Sequence, residues 1–537
     1  MTDRVRIAAA AMMALAGIAV WQIAYAVLLL LLHKDGRILE LMIEERPFAP
    51  IEQFWAYGAS PALLKVALMS LAPSLVVCGF VGAMILKKPD QPLGNAAFQD
   101  RASLRRNGWF RKDGYIFGKY GGKTLRVNDD RHHLIIGPTR SGKGVGYVIP
   151  NAREHKGSMI VTDLKGEIYD LTADYRRQRG HQVFRFAPGQ EETHCYNPLD
   201  FIRKDRGDRT TDIQNVAGML IPEVISSENA VWQATAQQVL AGVISYILES
   251  PHYSEQRNLG GVNAFLSTGE DLQTKLKGIK ENEPYLSKFT MESFNAYTML
   301  AERAAQSALL DVQKAMRPFK NERIVAATRT TDINVAAMRE KAISIYLTPN
   351  VNDIDILRPL LAMFIQQVLN FLTRSLGKRG VSILFLLDEF CQLKHMDEIV
   401  QKLPFVAGYG IKLSLIVQDF KSIDAIYGET NRHSILGNCG YQLIFGANDL
   451  ITADYVSRSL GKKSTRIRSN SRTFGTFKRA TKSETEQVRD RDLMMPQEVR
   501  ELERRHLVVL CENQRPLLLR KIRLSGNLNR LHEQVAQ

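Results

Sequence analysis

This chain has no pattern that would build a disulfide framework or a zinc ribbon. Its five cysteines, Cys78, Cys195, Cys391, Cys439 and Cys511, are scattered without a C-x-x-C pair, which suits a reducing compartment. H-E-x-x-H is also missing, so that helix-borne zinc site is excluded. His132 and His133 read as polar residues at the edge of a strand rather than as ligands. Acids are in deficit: 56 Asp and Glu against 71 Lys and Arg give a formal net charge of +15. Such an excess suits nucleic acid, a membrane surface or both, without choosing between them. The deficit is sharpest at 458–482, where no acid occurs.

Charge is also missing from two long runs. Residues 8–32 are apolar except for Gln22, and residues 66–86 are interrupted only by Ser70, Pro73, Ser74 and glycines. Each is long enough to cross a bilayer as a helix. The first is too long for a signal-peptide core and shows no small-residue cleavage site. The loop between them carries Asp35, Glu40, Glu44, Glu45 and Glu52. Arg4 and Arg6 precede the first run, and Lys87, Lys88, Arg101, Arg105, Arg106, Arg111 and Lys112 follow the second. The positive-inside rule then puts both termini in the cytoplasm and the loop outside.

Beyond a basic connector, a βαβ rhythm begins near residue 134. Strand-like segments at 134–136, 159–162, 181–186, 343–347, 382–387, 413–417 and 441–445 alternate with helical spacing, and 507–510 and 517–519 follow. That rhythm predicts a mainly parallel sheet covered on both faces. It breaks at 199–334, where helical spacing dominates, so an all-helical insertion is expected there.

Two strand ends carry chemistry. The first apolar strand runs into Gly137-Pro-Thr-Arg-Ser-Gly-Lys-Gly144. A glycine-rich turn before a helix points backbone N–H groups at a phosphate, and Lys143 reaches the β- and γ-phosphates. Gly137, Pro138, Thr139, Arg140, Ser141, Gly142, Lys143 and Gly144 are therefore the candidate nucleotide cradle. Gly144 stands where the general pattern has a Mg²⁺-binding Ser or Thr; Thr139, Ser141, carboxylates or water could substitute. The second strand, 382–387, ends in Asp388-Glu389. There Asp388 can hold Mg²⁺ or its water shell, and Glu389 can polarise the attacking water. Gln418, closing the 413–417 strand, can sense the γ-phosphate or simply cap a strand. In the acid-free window, Lys462, Lys463, Arg466, Arg468, Arg472, Lys478 and Arg479 lie among Ser, Thr, Phe474 and Phe477. This reads as a flexible arm on DNA phosphates or as a solvated loop.

Taken together these stretches resemble the type IV coupling proteins, membrane-anchored ATPases of conjugative and effector-secreting type IV secretion systems. The likeness also rests on Asp163-Leu-Lys-Gly-Glu167, Tyr196-Asn-Pro-Leu199, Leu387-Asp-Glu-Phe390, Ala407-Gly-Tyr-Gly410, Val417-Gln-Asp419, Ser457-Arg-Ser-Leu-Gly461 and Met495-Pro-Gln-Glu-Val-Arg500. It implies an α/β fold: a RecA-like P-loop nucleotide domain (89–198 and 335–537) with an all-α insertion (199–334), preceded by a two-helix membrane anchor with a short periplasmic loop (1–88). It implies ATP and Mg²⁺ as cofactors, with Lys143, Asp388 and Glu389 as catalytic residues and Asp388 as the metal ligand; Gln418 joins the candidate catalytic set on its place at the strand end. It further implies a homo-hexamer in the bacterial inner membrane. The ring would bring relaxase-bound single-stranded DNA, with relaxosome proteins, to the inner-membrane components of the channel and drive transfer with ATP. The alternative is a nucleotide-gated receptor or scaffold for protein effectors with little motor activity. The family motif at Asp163, Lys165 and Glu167 could buttress the phosphate loop from an adjacent strand. No arginine finger is assignable.

Overall fold

The computed structural model describes residues 3–44, 46–58, 60–86, 93–222, 230–375, 380–475 and 478–523. It divides into two compact units, Met1–Pro92 and Leu93–Gln537.

The first unit holds the helices Asp3–His33 and Pro61–Leu86, joined by two short helices, Arg37–Glu44 and Ala49–Tyr57. Within the long helices, Ala11–His33 and Pro61–Gly82 are long and apolar enough to cross a membrane. They pack through small residues. Ser74 Oγ donates to Gly17 O at 2.7 Å, and a Cβ on Gly17 would sit 2.7 Å from Cys78 Sγ. Close backbone approach of this kind is how helices associate in lipid. Leu15, Ile18, Leu31, Leu68, Leu75, Val76 and Phe80 stay exposed, an apolar surface suited to acyl chains.

In the second unit the strands are β1 Tyr115–Tyr120, β2 Lys123–Val127, β3 His133–Ile136, β4 Ser158–Thr162, β5 Gln182–Phe186, β6 Ile343–Leu347, β7 Ile383–Leu387, β8 Ile411–Val417, β9 Tyr441–Ile444, β10 Lys462–Gly475, β11 Lys478–Asp492, β12 His506–Cys511 and β13 Leu517–Arg520. Eleven form one sheet in the order β2-β1-β13-β12-β9-β3-β8-β7-β4-β6-β5. From β9 to β5 every pairing is parallel, and the remaining strands add antiparallel at one edge. The central strands are buried along their whole length, as expected for a sheet covered on both faces.

Helices account for the long gap between β5 and β6. Arg206–Leu220, Ala230–Glu249, Leu259–Leu266, Leu272–Asn282, Lys288–Thr298, Glu302–Ala315 and Glu322–Ala327 lie there. Their starts are written in the sequence: Asp205, Asn258, Asp271, Ser287 and Asn321 each accept a backbone N–H from the first turn, the usual N-cap chemistry. Leu240, Val243, Ile244 and Ile247 of the second helix are fully buried. This helical region shares one continuous apolar core with the sheet, so it belongs to the same compact unit.

A third helix also satisfies length and apolarity for a span, within Val351–Thr373. Its residues Leu357, Leu360, Leu361, Phe364, Ile365, Val368 and Leu369 are fully buried against the sheet, so protein, not lipid, covers it.

The expected arm at 458–482 is instead a two-stranded antiparallel ribbon of β10 and β11. The acids that the window lacks arrive on the return strand: Lys462 Nζ bonds Asp490 Oδ2 at 2.7 Å, and the backbone register sets residue 468 opposite Glu486. The ribbon is anchored at its base, where Ala96 N donates to Lys462 O and Ser464 N to Gly94 O, both at 3.0 Å.

Candidate nucleotide site

At the carboxyl end of β3 the chain turns sharply. Arg140 and Gly142 both adopt positive φ, 62° and 87°. Gly137 has no room for a side chain, since a Cβ would lie 2.7 Å from Ser141 Oγ and 2.9 Å from Phe445 Cβ. The turn leads into a wide π-helical segment, Gly144–Val148, closed by Ile149 N–H on Gly144 O. Pro150, which follows at the start of helix Ile149–Glu154, explains the widening. Its ring disfavours a tight turn onto the carbonyl four residues back, and π-turns recur at functional sites. At Gly144 a Cβ would meet none of the described residues within 4 Å. The missing hydroxyl is therefore not a matter of space.

Lys143 is 7% exposed and folds back on its own loop. Its Nζ donates to Gly137 O and, at 3.2 Å, to Pro138 O. Burial pulls its pKa down, opposed by the charges of Glu389 and Asp388. Ser141 Oγ is buried with no partner among the described residues. A buried, unpartnered hydroxyl is costly unless something arrives to bond it. Thr139 and Arg140 are exposed.

The acid pair sits two strands away. The sheet order β3-β8-β7 places Gln418, at the end of β8, between the phosphate loop and Asp388-Glu389. Asp388 is pushed up to about 6, first by burial and then by the neighbouring Glu389 charge. Its carbonyl accepts from Thr162 Oγ1 at 2.6 Å. Glu389 holds a positive φ of 51°, a strained conformation for a non-glycine residue of the kind found at working sites. Its Oε2 accepts from Gln418 Nε2 at 3.0 Å. A cavity of about 210 Å³ adjoins this pair, lined by Glu389, Gln392, Gln418 and Ser422 among others; it has room for several waters.

Asp163 lies at the end of β4, next to β7 and not next to β3. It therefore supports the acid strand rather than the phosphate loop. Its Oδ2 accepts Tyr169 N–H at 2.8 Å, and burial pushes its pKa up to about 7, with Asp388 adding to the rise.

His132 and His133 stand at the beginning of β3, as expected, but not at an exposed position. Both are buried at the start of β3 in mid-sheet. His132 uses both ring nitrogens, on Leu403 O at 2.9 Å and Leu413 N at 3.1 Å.

Of the ribbon cations, Lys462 is ion-paired and Lys463 lies opposite Arg491. The side chains of Arg468, Arg472, Lys478 and Arg479 lie outside the described residues, as does Phe477.

One contact at the phosphate loop gave no sequence signal. Lys521, directly after β13, donates to Ser141 O at 2.9 Å and to Phe445 O at 2.7 Å. Nothing in the local pattern distinguishes it from a surface lysine after a strand.

The arrangement suits a nucleoside triphosphate with a divalent cation. The turn could offer N–H groups and a lysine to phosphates, and Asp388 could offer a carboxylate to the metal. Residues 86–524 match the family model described as Type IV secretory system Conjugative DNA transfer. The chain is 29% identical over 460 residues to Protein VirD4 of Rhizobium rhizogenes, covering 82% of this chain and 67% of that protein. It is 30% identical over 380 residues to a conjugal transfer protein TraG of Escherichia coli, covering 66% and 58%. The chain thus spans about two thirds of the VirD4 relatives and less of TraG. Among solved structures, the plasmid coupling protein TrwB in complex with ADP and Mg²⁺ aligns with a TM-score of 0.61 and 15% identity over 82% of this chain and 97% of that one. At that identity the likeness shows a shared fold.

Proposed function

The chain belongs to the type IV secretory system conjugative DNA transfer family, whose members here are the coupling proteins of such systems, and from that premise we propose that it is an ATP hydrolase working at the inner membrane. It would bring a relaxase-bound DNA strand to the secretion channel and drive its transfer. The observation that carries the reading is the gathering of Lys143, Gln418 and Asp388-Glu389 at the same ends of three neighbouring parallel strands. The relatives' names and the nucleotide complexes of TrwB support it.

Bound ATP with Mg²⁺ supplies the γ-phosphoryl group that is passed to water. Lys143 leaves the Gly137 and Pro138 carbonyls for the phosphates. Asp388 supplies the carboxylate for the metal, with Thr162 fixing its backbone. Glu389 takes a proton from the attacking water, held in place by the Gln418 amide. Burial keeps these charges strong by excluding competing water. The two apolar helices of the first unit anchor the protein, with both termini in the cytoplasm by the basic flanks. Residues 89–198 and 335–537 form the nucleotide domain of a six-membered ring, and 199–334 form the domain that meets cargo. The Lys- and Arg-rich ribbon would meet nucleic acid.

The test is ATP turnover by the full-length protein in detergent, with and without single-stranded DNA, for wild type and Lys143→Ala. DNA-stimulated turnover lost in the variant supports the motor. Nucleotide binding without turnover in either condition rejects it in favour of a receptor for protein cargo.

A further inference from the structure

The antiparallel edge of the sheet ends at the phosphate loop. After β13 the chain does not leave the fold: Lys521 N–H donates to Arg505 O at 2.8 Å, which directs the side chain back across the sheet. Its ammonium then spans two points that must stay in register for the cradle to keep its shape. One is Ser141 O, inside the loop. The other is Phe445 O, directly after β9. Phe445 is also the side chain that the turn packs on, with Gly137 against its Cβ and Gly146 against its ring, so the residue Lys521 grips is the floor on which the turn rests. The lysine Cδ would be 3.9 Å from a Cβ on Gly142.

The chemistry of this contact is unusual for a structural lysine. Among the described residues no carboxylate lies within ion-pair distance of Lys521, and burial alone lowers its pKa, to about 8. A half-buried ammonium held only by carbonyl dipoles carries an uncompensated desolvation cost. It has three N–H donors and two of them are used. Ser141, whose carbonyl it holds, also carries an unpartnered hydroxyl among the described residues, and the same loop contains the buried Lys143. The site therefore gathers more positive charge and donor capacity than the empty loop can satisfy, as expected where a polyanion is to be received.

We propose that Lys521 is a positioning residue of the nucleotide site: its ammonium clamps the phosphate loop through Ser141 O and Phe445 O and adds a second cation to the phosphate cradle. This rests on the reading of 137–144 as a nucleotide loop. The C-terminal strand thereby sets nucleotide affinity, and displacement of that strand weakens binding without touching Lys143, Asp388 or Glu389.

The experiment compares full-length wild type, Lys143→Ala, Lys521→Met and Lys521→Arg in detergent, reading ATP affinity, KM, kcat and the melting temperature without nucleotide. The expected result for Lys521→Met is a rise in Kd and KM for ATP of about tenfold, a kcat within about twofold and a nearly unchanged melting temperature, with Lys521→Arg restoring most of the affinity. Equal affinities in wild type and Lys521→Met, or a loss that arginine does not restore, overturns the proposal. Lys143→Ala separates the two readings. If it leaves ATP binding intact, the nucleotide site itself is misassigned; if it weakens binding while Lys521→Met does not, only the clamp fails. Should Lys521→Met not fold, amine acetylation of the wild-type protein decides instead. Lys521 modification should slow several-fold on addition of Mg²⁺-ATP, and an unchanged rate refutes the clamp.

Discussion

At the amino-terminal ends of the parallel strands, buried Arg176 donates to Ser344 Oγ, to the carbonyls of Ala152, His155 and Gly157, and pairs with His181 Nδ1. Nearby, Lys412 is held by Asp129 O and lies over the Tyr115 ring at 3.9 Å. At the carboxyl-terminal ends, Lys143 has only carbonyls of its own loop, Ser141 Oγ has no partner among the described residues, and Asp388 is driven toward its neutral form. Both ends bury charge at similar depth. One end satisfies it internally, so the charge serves the fold. At the other, Ser141 Oγ has no partner among the described residues, which supports the proposal that this end receives a ligand. Burial alone does not mark a functional site; at the carboxyl-terminal ends an unpartnered hydroxyl coincides with a glycine-rich turn, a buried lysine and an acid pair.

That contrast is broken most sharply at Glu389. Glu389→Gln should retain ATP binding and lose about 10²–10³ in turnover, because the proposed general base is gone while the cradle is intact. Single-turnover assays beside equilibrium binding check it. The opposite end should give the opposite pattern. Arg176→Met leaves several carbonyls without a donor and should cost about 3–5 kcal/mol of stability with ATP affinity unchanged in the folded fraction, read by urea unfolding and by binding.

A smaller effect sharpens the sign of the comparison. Asp388 has its folded pKa raised, to about 6, so its ionised form opposes folding. The penalty is complete above about pH 6 and disappears as pH falls below the ordinary carboxylate range. Asp388→Asn should therefore stabilise the nucleotide-free protein at pH 7.5 by about 1–2 kcal/mol, give no gain at pH 3.5, and weaken Mg²⁺-ATP binding. In the wild type, Mg²⁺-dependent affinity should fall about tenfold from pH 7 to pH 5 as that carboxylate takes up a proton. His132 behaves oppositely. Its folded pKa is lowered to about 4, so its contribution is full above the ordinary imidazole value and is lost on acidification toward pH 4. The smallest effect is at Gly144. Because a Cβ there meets none of the described residues, Gly144→Ala should change stability by less than about 1 kcal/mol, measurable as a melting shift of a few degrees at most.

Much of this was legible in the residues. The strands are nearly where alternation and apolar runs put them, since a strand buried on both faces must be apolar throughout. The turn at 137–144 was visible because glycines at 137, 142 and 144 and a lysine at 143 follow an apolar strand. What escaped were features that depend on partners far along the chain. That His132 and His133, at the start of their strand, are buried in mid-sheet depends on strand order, which sequence does not give. Asp163 seemed to stand beside the phosphate loop for the same reason. The acid-free window looked like a loose arm until the return strand brought Asp490 to Lys462. Lys521 was invisible because its meaning lies in residues 76 and 380 positions away.

The sequence by itself determined the chemistry of this protein: two helices apolar enough for lipid, a glycine turn with a lysine, and a strand ending in two acids. These depend on local rules of backbone freedom, hydropathy and charge. Tertiary structure alone decided which apolar helix is covered by protein, which buried charges are satisfied and which are left open, and which distant lysine closes the loop. Those outcomes depend on strand order and register, which bring together groups that no local rule connects.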